Sequence, residues 1–338
     1  MPLTSIEVLN KVVENRVAET RLVSATFLAQ LYAANRMQTK TNTSIDWDVS
    51  VSGGAAAIEA VTADGANTAT DNTVPANLRI GRYRVKHQFS LSRVDIAEAA
   101  TRGPGDLQDL FNAHVDRGLT HIQRTVNGLL YTGDGLAASG EVVGVGKVAD
   151  ATYSYASINP ATYPAWKALV STNATARPLT KNILLDHDQM VRENEATYDF
   201  IICSPSMGTT YNKVFDSLGG GMVLANNPGP NGLKGVELGW GTRTYMGRPI
   251  IEDPACPTGL LYFMYMPDVT LFTFDLADNP TPRAQPETQV ASTRAWGMNI
   301  NVAELPSNNS AKRTFELYVL PQLRFYNRKS LQVINQLT

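Results

Sequence analysis

The residues with the most chemical potential are few and scattered. Cys203-Ser204-Pro205-Ser206-Met207-Gly208 falls where a strand gives way to a helix, the place of a nucleophile elbow. It lacks the glycine two positions before a serine that a G-x-S-x-G elbow needs, and Ser206 is more simply a helix cap. Gly133-Asp134-Gly135 and Gly144-Val145-Gly146 are fragments of a dinucleotide fingerprint, neither completed, and turn glycines account for both. No G-x-x-x-x-G-K-[ST] run offers a phosphate cradle. The four histidines are His87, His114, His121 and His187, without C-x-x-C or H-E-x-x-H spacing. His114 and His121 lie seven apart on one helix face, too far along the axis to share a metal. Asp186-His187-Asp188 could orient an imidazole, and a solvated helix face explains it equally well. No nucleophile, base and oxyanion donor assemble, so the expectation is no catalytic residue, no metal and no cofactor.

The elements are more informative. From Asp106 to Gly135 one long helix is expected. Leu107, Leu110, Phe111, Val115, Leu119, Ile122, Val126 and Leu129 recur every three or four positions on one face. Asp106 takes the N-cap place after Gly103-Pro104-Gly105, and Thr132-Gly133-Asp134-Gly135 ends the helix with left-handed glycine geometry. At ~1.5 Å per residue it spans nearly ~40 Å, the length of a strut.

Residues 1–40 open on the capping box Thr4-Ser5-Ile6-Glu7 and continue amphipathic through Ile6, Leu9, Val13 and Val17. Such an arm packs on its own body or on a neighbouring subunit. In 41–93, Ile45, Trp47, Val49 and Val51 alternate as a half-buried strand, and Tyr83, Val85, Phe89 and Leu91 alternate on the return, with Gly81 as a bulge within one strand over 78–91. The result is a long two-stranded excursion, marginal alone in water and expected to need a partner surface. Its outgoing half carries Asp46, Asp48, Glu59, Asp64 and Asp71 without a basic residue; its return carries Arg79, Arg82, Arg84 and Lys86. Acids of one copy meeting bases of another would suit contacts between identical subunits, with Asp48, Glu59, Asp64, Arg79, Arg82, Arg84 and Lys86 as candidates.

Residues 94–100 form a short helical turn, and 141–155 a strand-and-turn region. Then helix and strand alternate: helices at 160–171, 180–195 and 206–215, a buried strand at 199–205, a glycine- and proline-rich loop at 217–235, and strands at 244–251, 260–266 and 269–274. That is an α/β unit with a mixed sheet. The final stretch returns to strands at 293–302, 315–319 and 323–325 around an Asn308-Asn309-Ser310 turn.

Composition sets the class. The 338 residues are 43% hydrophobic with a net charge of -2, which is globular and lacks the basic excess usual in a nucleic-acid binder. Two distant cysteines, Cys203 and Cys256, suit a reducing compartment better than a disulfide framework. Glu7, Lys11 and Glu14 stand where a signal peptide would be apolar, and no apolar run approaches the ~20 residues a bilayer needs. The expectation is a soluble, mostly intracellular product with no membrane partner.

The order of parts resembles the major capsid proteins of tailed bacteriophages, the Hong Kong 97 fold. Leu129-Leu130-Tyr131-Thr132-Gly133-Asp134-Gly135 is similar to the end of their spine helix. Tyr245-Met246-Gly247-Arg248-Pro249-Ile250-Ile251-Glu252-Asp253 before the Leu261–Phe263 strand, and the Ile201-Cys203-Pro205 strand before a helix reaching Tyr211, carry the likeness further. It covers essentially the whole chain. It implies an α+β fold divided into an N-terminal arm (1–40), an E-loop (41–93), a P-domain with the spine helix (94–156), an α/β A-domain (157–282) and P-domain return strands (283–338). It implies hexamers and pentamers closing an icosahedral shell around double-stranded DNA, in a virion assembled in the host cytoplasm. The 217–235 loop would lie at capsomer centres, and some inner-face basic residues would touch packaged DNA.

Two departures matter. Only about 40 residues precede the excursion, so the resemblance implies a separate scaffolding protein, alongside a portal. No lysine lies between Trp47 and Leu78, so the isopeptide cross-link of some relatives is not expected, and strength would come from burial, charge pairing or a cement protein. An encapsulin-like nanocompartment shell and an α/β enzyme with an oligomerisation hairpin remain the alternatives. A cargo-peptide site would mark the first, and a convergent polar pocket the second.

Overall fold

In the computed structural model the described residues are 25–42, 44–51, 73–79, 84–135, 142–217, 243–274, 288–295, 297–305 and 312–338. The arm before residue 25, the excursion beyond Val51 with Glu59 and Asp64, the Gly81 bulge, Arg82, the 218–235 loop and the Asn308–Ser310 turn lie outside them; Arg79 is described by its backbone alone. The first half forms α1 (Thr26–Ala33), β1 (Met37–Lys40), β2 (Ser44–Ser50), β3 (Thr73–Arg79), β4 (Val85–Ser92), α2 (Arg93–Arg102) and α3 (Pro104–Thr132). The middle forms α4 (Val145–Val148), β5 (Leu169–Ser171), α5 (Lys181–Glu193), β6 (Phe200–Cys203) and α6 (Pro205–Ser217). Strands follow: β7 (Thr244–Tyr245), β8 (Arg248–Glu252), β9 (Leu261–Met264), β10 (Val269–Phe274), β11 (Thr288–Ala295), β12 (Met298–Leu305), β13 (Lys312–Val319), β14 (Pro321–Phe325) and β15 (Leu331–Ile334).

The strut is present and longer than expected, at 29 residues. Its start differs. Pro104 is the first helical residue and Gly103 precedes it, so Asp106 sits in the first turn and is not the cap. Proline fits there because the first-turn amide it lacks has no partner anyway, and Asp106 still meets the positive helix end. At the other end Gly135 has the left-handed φ of 64°, but Gly133 keeps φ -56°. Gly133 is needed for space: a Cβ there would collide with the Val142 carbonyl oxygen. Along α3, Ile122, Val126 and Leu130 are fully buried, and Leu110, Phe111, Val115, Leu119 and Leu129 pack partly buried on the same core. Phe111 meets Phe315 edge-on at 5.1 Å and Phe89 at 5.8 Å, which seats the helix on a sheet.

That sheet has the order β11-β12-β13-β4, antiparallel throughout. Residues 78–91 are therefore not one strand. β3 pairs with β2 over Ser50↔Thr73 to Ser44↔Arg79, whereas β4 pairs with β13 in a different sheet. Alternation fixes which face a strand buries but not its partner. Residues 293–302 likewise divide into a hairpin at Gly297, whose φ of 74° makes the turn. Helix 160–171 is absent as well. Pro164–Trp166 is a single 3₁₀ turn and Leu169–Ser171 is a strand paired with β15, and the Trp166 carbonyl accepts from Arg328 at 3.4 Å instead of continuing a helix. Thr244–Ile251 turns at Met246-Gly247 to make β7 and β8.

A six-stranded mixed sheet, β5-β15-β9-β6-β8-β7, builds the α/β unit, and β1-β10-β14 forms a smaller one. Phe200 and Ile202 of β6 point into the larger core, Ile201 and Cys203 into a second core with Leu184, Val191, Tyr198 and Phe263. Burial on both faces is why this strand is an unbroken apolar run.

Candidate assembly surface and the joint beneath it

The residues that could have done chemistry are used structurally. Ser206 is inside α6; the cap is Ser204, whose Oγ accepts from Met207 N at 3.4 Å. Cys203 and Cys256 are free and buried, and burial pushes the Cys203 thiol up to about 12, away from thiolate chemistry. Among the described residues no group of three or more His, Cys, Asp or Glu could hold a metal. The Asp186-His187-Asp188 run corrects both readings given to it. His187 is 1% exposed and packs on Phe263 at 4.3 Å; neither ring nitrogen has a hydrogen-bond partner. Burial holds it down to about 4, against a small opposite pull from Asp188. Asp188 is buried too and turns elsewhere, to Arg192 at 3.0 Å and the Tyr198 hydroxyl at 3.2 Å.

The excursion's root is built on its own body. Ile45, Trp47, Val49, Ala76 and Leu78 are buried, and Asp46, Asp48 and Ser50 face outward. The Trp47 indole N–H donates to the Tyr326 carbonyl at 3.1 Å, and the Arg324 guanidinium lies 5.6 Å from the Trp47 ring and 4.9 Å from Phe272. The Asn77 amide donates to Ala156 O at 3.1 Å. Ala156 and Ser157 both adopt positive φ, 54° and 66°, to present that carbonyl. The root therefore finds its partner surface on its own chain. Asp46 is held below the usual carboxylate range by hydrogen bonds, first from Ser44 and then from Asn77.

Of the candidate contact residues, Asp48 is exposed on the outer face of β2. Arg84 and Lys86 come together around one acid of the same chain, Glu316 on β13, at 3.7 and 3.5 Å. Gln88 donates to the same carboxylate at 2.6 Å. Glu316 is buried while Lys86 keeps 55% of its side chain exposed, so two cations share one acid and a net positive charge faces outward. The charge polarity of the two halves marked the bases; their acid lies on a strand more than 200 positions away, beyond any local signal.

Elsewhere in the fold is a joint the sequence reading missed. Asp253, fully buried, accepts from the Tyr131 hydroxyl at 3.0 Å, from Asn127 Nδ2 at 3.0 Å, from Phe27 N at 3.0 Å and from Ala255 N at 2.9 Å. Asn127 Oδ1 accepts from Leu28 N at 3.1 Å. Helix α1 begins after Ala25, which has no side-chain cap, so its second and third amides are satisfied by Asp253 and Asn127 from elsewhere. One signal was available: Asn127 is a polar residue in the buried stripe, between Val126 and Leu130. Arg328 plays the same part nearby. It is 0% exposed and donates to the carbonyls of Val148 and Tyr153 at 2.9 Å, of Trp166 at 3.4 Å, and of Asp150.

No protein-family model and no curated protein matches the chain by sequence. Solved structures do match by shape. A chain of the cyanophage A-1(L) capsid asymmetric unit superposes with a TM-score of 0.77 at 23% identity, covering 95% of both chains. This chain has a capsid-protein fold. The capsid of a native GTA particle matches at TM-score 0.59 and 13% identity, over 96% of this chain and 98% of that one. The holo-SrpI encapsulin complex from Synechococcus elongatus matches more distantly, at TM-score 0.50 and 10% identity, over 100% of this chain and 96% of that one. The α+β Hong Kong 97 capsid fold thus spans nearly the whole chain. Among the described residues no helix is long and apolar enough to cross a membrane.

Proposed function

We propose that this chain is a major capsid protein of a tailed phage. Its copies form hexamers and pentamers and close an icosahedral shell around double-stranded DNA; its role is structural, not catalytic. The observation that carries this is the full-length superposition on the cyanophage capsid chain, which covers 95% of both chains. In this reading the division is an arm (1–40), an E-loop (41–93), a P-domain (94–156 and 283–338) and an A-domain (157–282). Asp48, Glu59 and Asp64 of one copy meet Arg79, Arg82, Arg84 and Lys86 of a neighbouring copy. A portal, a separate scaffolding protein and a cement protein are the further partners, with DNA on the inner face of the virion after assembly in the host cytoplasm.

Electron microscopy and sedimentation of the purified full chain test this. Closed shells, or capsomers of five and six subunits, are the expected outcome. A monomer or dimer that persists at high concentration, even with scaffold and portal supplied, overturns it. Shells that enclose a protein cargo and no DNA would favour the encapsulin-like reading.

A further inference from the structure

Three of the chain's four histidines lie along one seam, where α3 crosses β4. His87 on β4 stacks on His121 of α3, centroids 5.1 Å apart and planes 22° apart. His114, two turns earlier on α3, stacks on Phe89 of β4 at 5.4 Å and 8°. Between the two stacks the helix carries Gly118. A Cβ there would stand 2.9 Å from His87 Cδ2 and 3.0 Å from Leu317 Cδ1, so helix backbone and imidazole are already in close contact. The ring has little room to move away from a new charge.

The charges around the seam are unbalanced. Burial first, then His121, Arg117 and His114, disfavour a proton on His87. Burial and Arg117 do the same for His114, opposed only by Asp95 on α2. From β13 the seam receives apolar Leu317 and Phe315. The carboxylate of β13, Glu316, is turned to the other face of the sheet, where Arg84 and Lys86 occupy it. On β4 itself, Lys86 and Gln88 also join Glu316 on that other face.

We propose that this seam is an acid-sensitive joint: a proton taken up by His87 places a positive charge against the stacked His121 ring and beside Arg117, and parts β4 from the middle of α3. A histidine that folding holds neutral contributes stability that is complete above the ordinary imidazole range and is lost as pH falls through it, because the unfolded chain takes the proton first. The effect is intramolecular, so it stands or falls separately from shell formation. It loosens the strand that presents Lys86 while leaving the joint at Asp253 in place.

Peptide-resolved hydrogen exchange on the full chain tests it, at about pH 7 and about pH 5, with rates corrected for intrinsic chemistry. Wild type is compared with His87→Gln and His121→Gln; His121 is exposed, so that variant keeps the fold even if the first does not. Acidification is expected to speed exchange in 85–92 and 114–122 about tenfold more in wild type than in either variant. Acid effects arising elsewhere, at His187 for instance, are common to all three proteins and cancel. An equal rise in wild type and His121→Gln, or no rise in wild type, overturns the proposal.

Discussion

Asp253 Oδ2 accepts the backbone amide of Phe27 at 3.0 Å, joining the start of one helix to a turn 226 positions later in the chain. The same oxygen receives the Tyr131 hydroxyl. One carboxylate thus ties together α1, α3 and the turn after β8. Asp253→Asn puts an amide N–H where three donors already point. It is expected to lower unfolding free energy by about 2–4 kcal/mol, and Tyr131→Phe by about 1 kcal/mol, in urea titrations. Protease cleavage within 26–33 should rise for Asp253→Asn before the global transition. Unchanged stability and cleavage would remove the joint from this account.

Arg328 gathers four carbonyls that no helix or sheet uses. Burial lowers its pKa to about 10, still charged at neutral pH. A lysine has a compact ammonium that cannot reach all four, so Arg328→Lys should cost about 2–4 kcal/mol by the same titration. A loss under half a kilocalorie would mean the carbonyls find water.

His187 is the second source of acid sensitivity. Its folded pKa of about 4 lies below the unfolded value of 6.5, so its contribution is complete above 6.5, fades as pH falls, and is gone below about 4. Over that window wild type should lose about 3 kcal/mol more than His187→Phe, read from denaturation midpoints across pH. Parallel pH profiles for the two proteins would contradict this.

Two glycines of α3 should respond oppositely to alanine. Gly128 has nothing within 4 Å of an added Cβ, so Gly128→Ala should stabilise by about 1 kcal/mol through helix propensity. At Gly118 the Cβ would press on His87 and Leu317, and Gly118→Ala should destabilise by about 1–3 kcal/mol in thermal melts. Stabilisation by both would show that the seam has slack.

Much of the frame was legible because its causes are local. The apolar stripe of α3, the helical run of α5 and the two-sided apolar run of β6 each announce themselves within a dozen residues. What was missed depends on distant partners. Ala25 gives no hint that α1 is capped by Asp253 and Asn127. The alternation of Val85, Phe89 and Leu91 is the same whether β4 pairs with β2 or, as it does, with β13. The basic pair Arg84 and Lys86 was visible, but not the buried Glu316 that fixes it. Pro164 has no amide to donate to a helix over 160–171, and it opens a single 3₁₀ turn there.

Strand β15 lies inside the six-stranded sheet, parallel to β5 on one side and antiparallel to β9 on the other. Residues 331–334 leave the ribosome after every other strand of that sheet has been translated. Until then β5 and β9 lack the partner that joins them, and the six-stranded sheet stays open. A nascent chain stalled before this point carries α3 but an open sheet, so the last strand made is the one that joins β5 to the rest of the sheet.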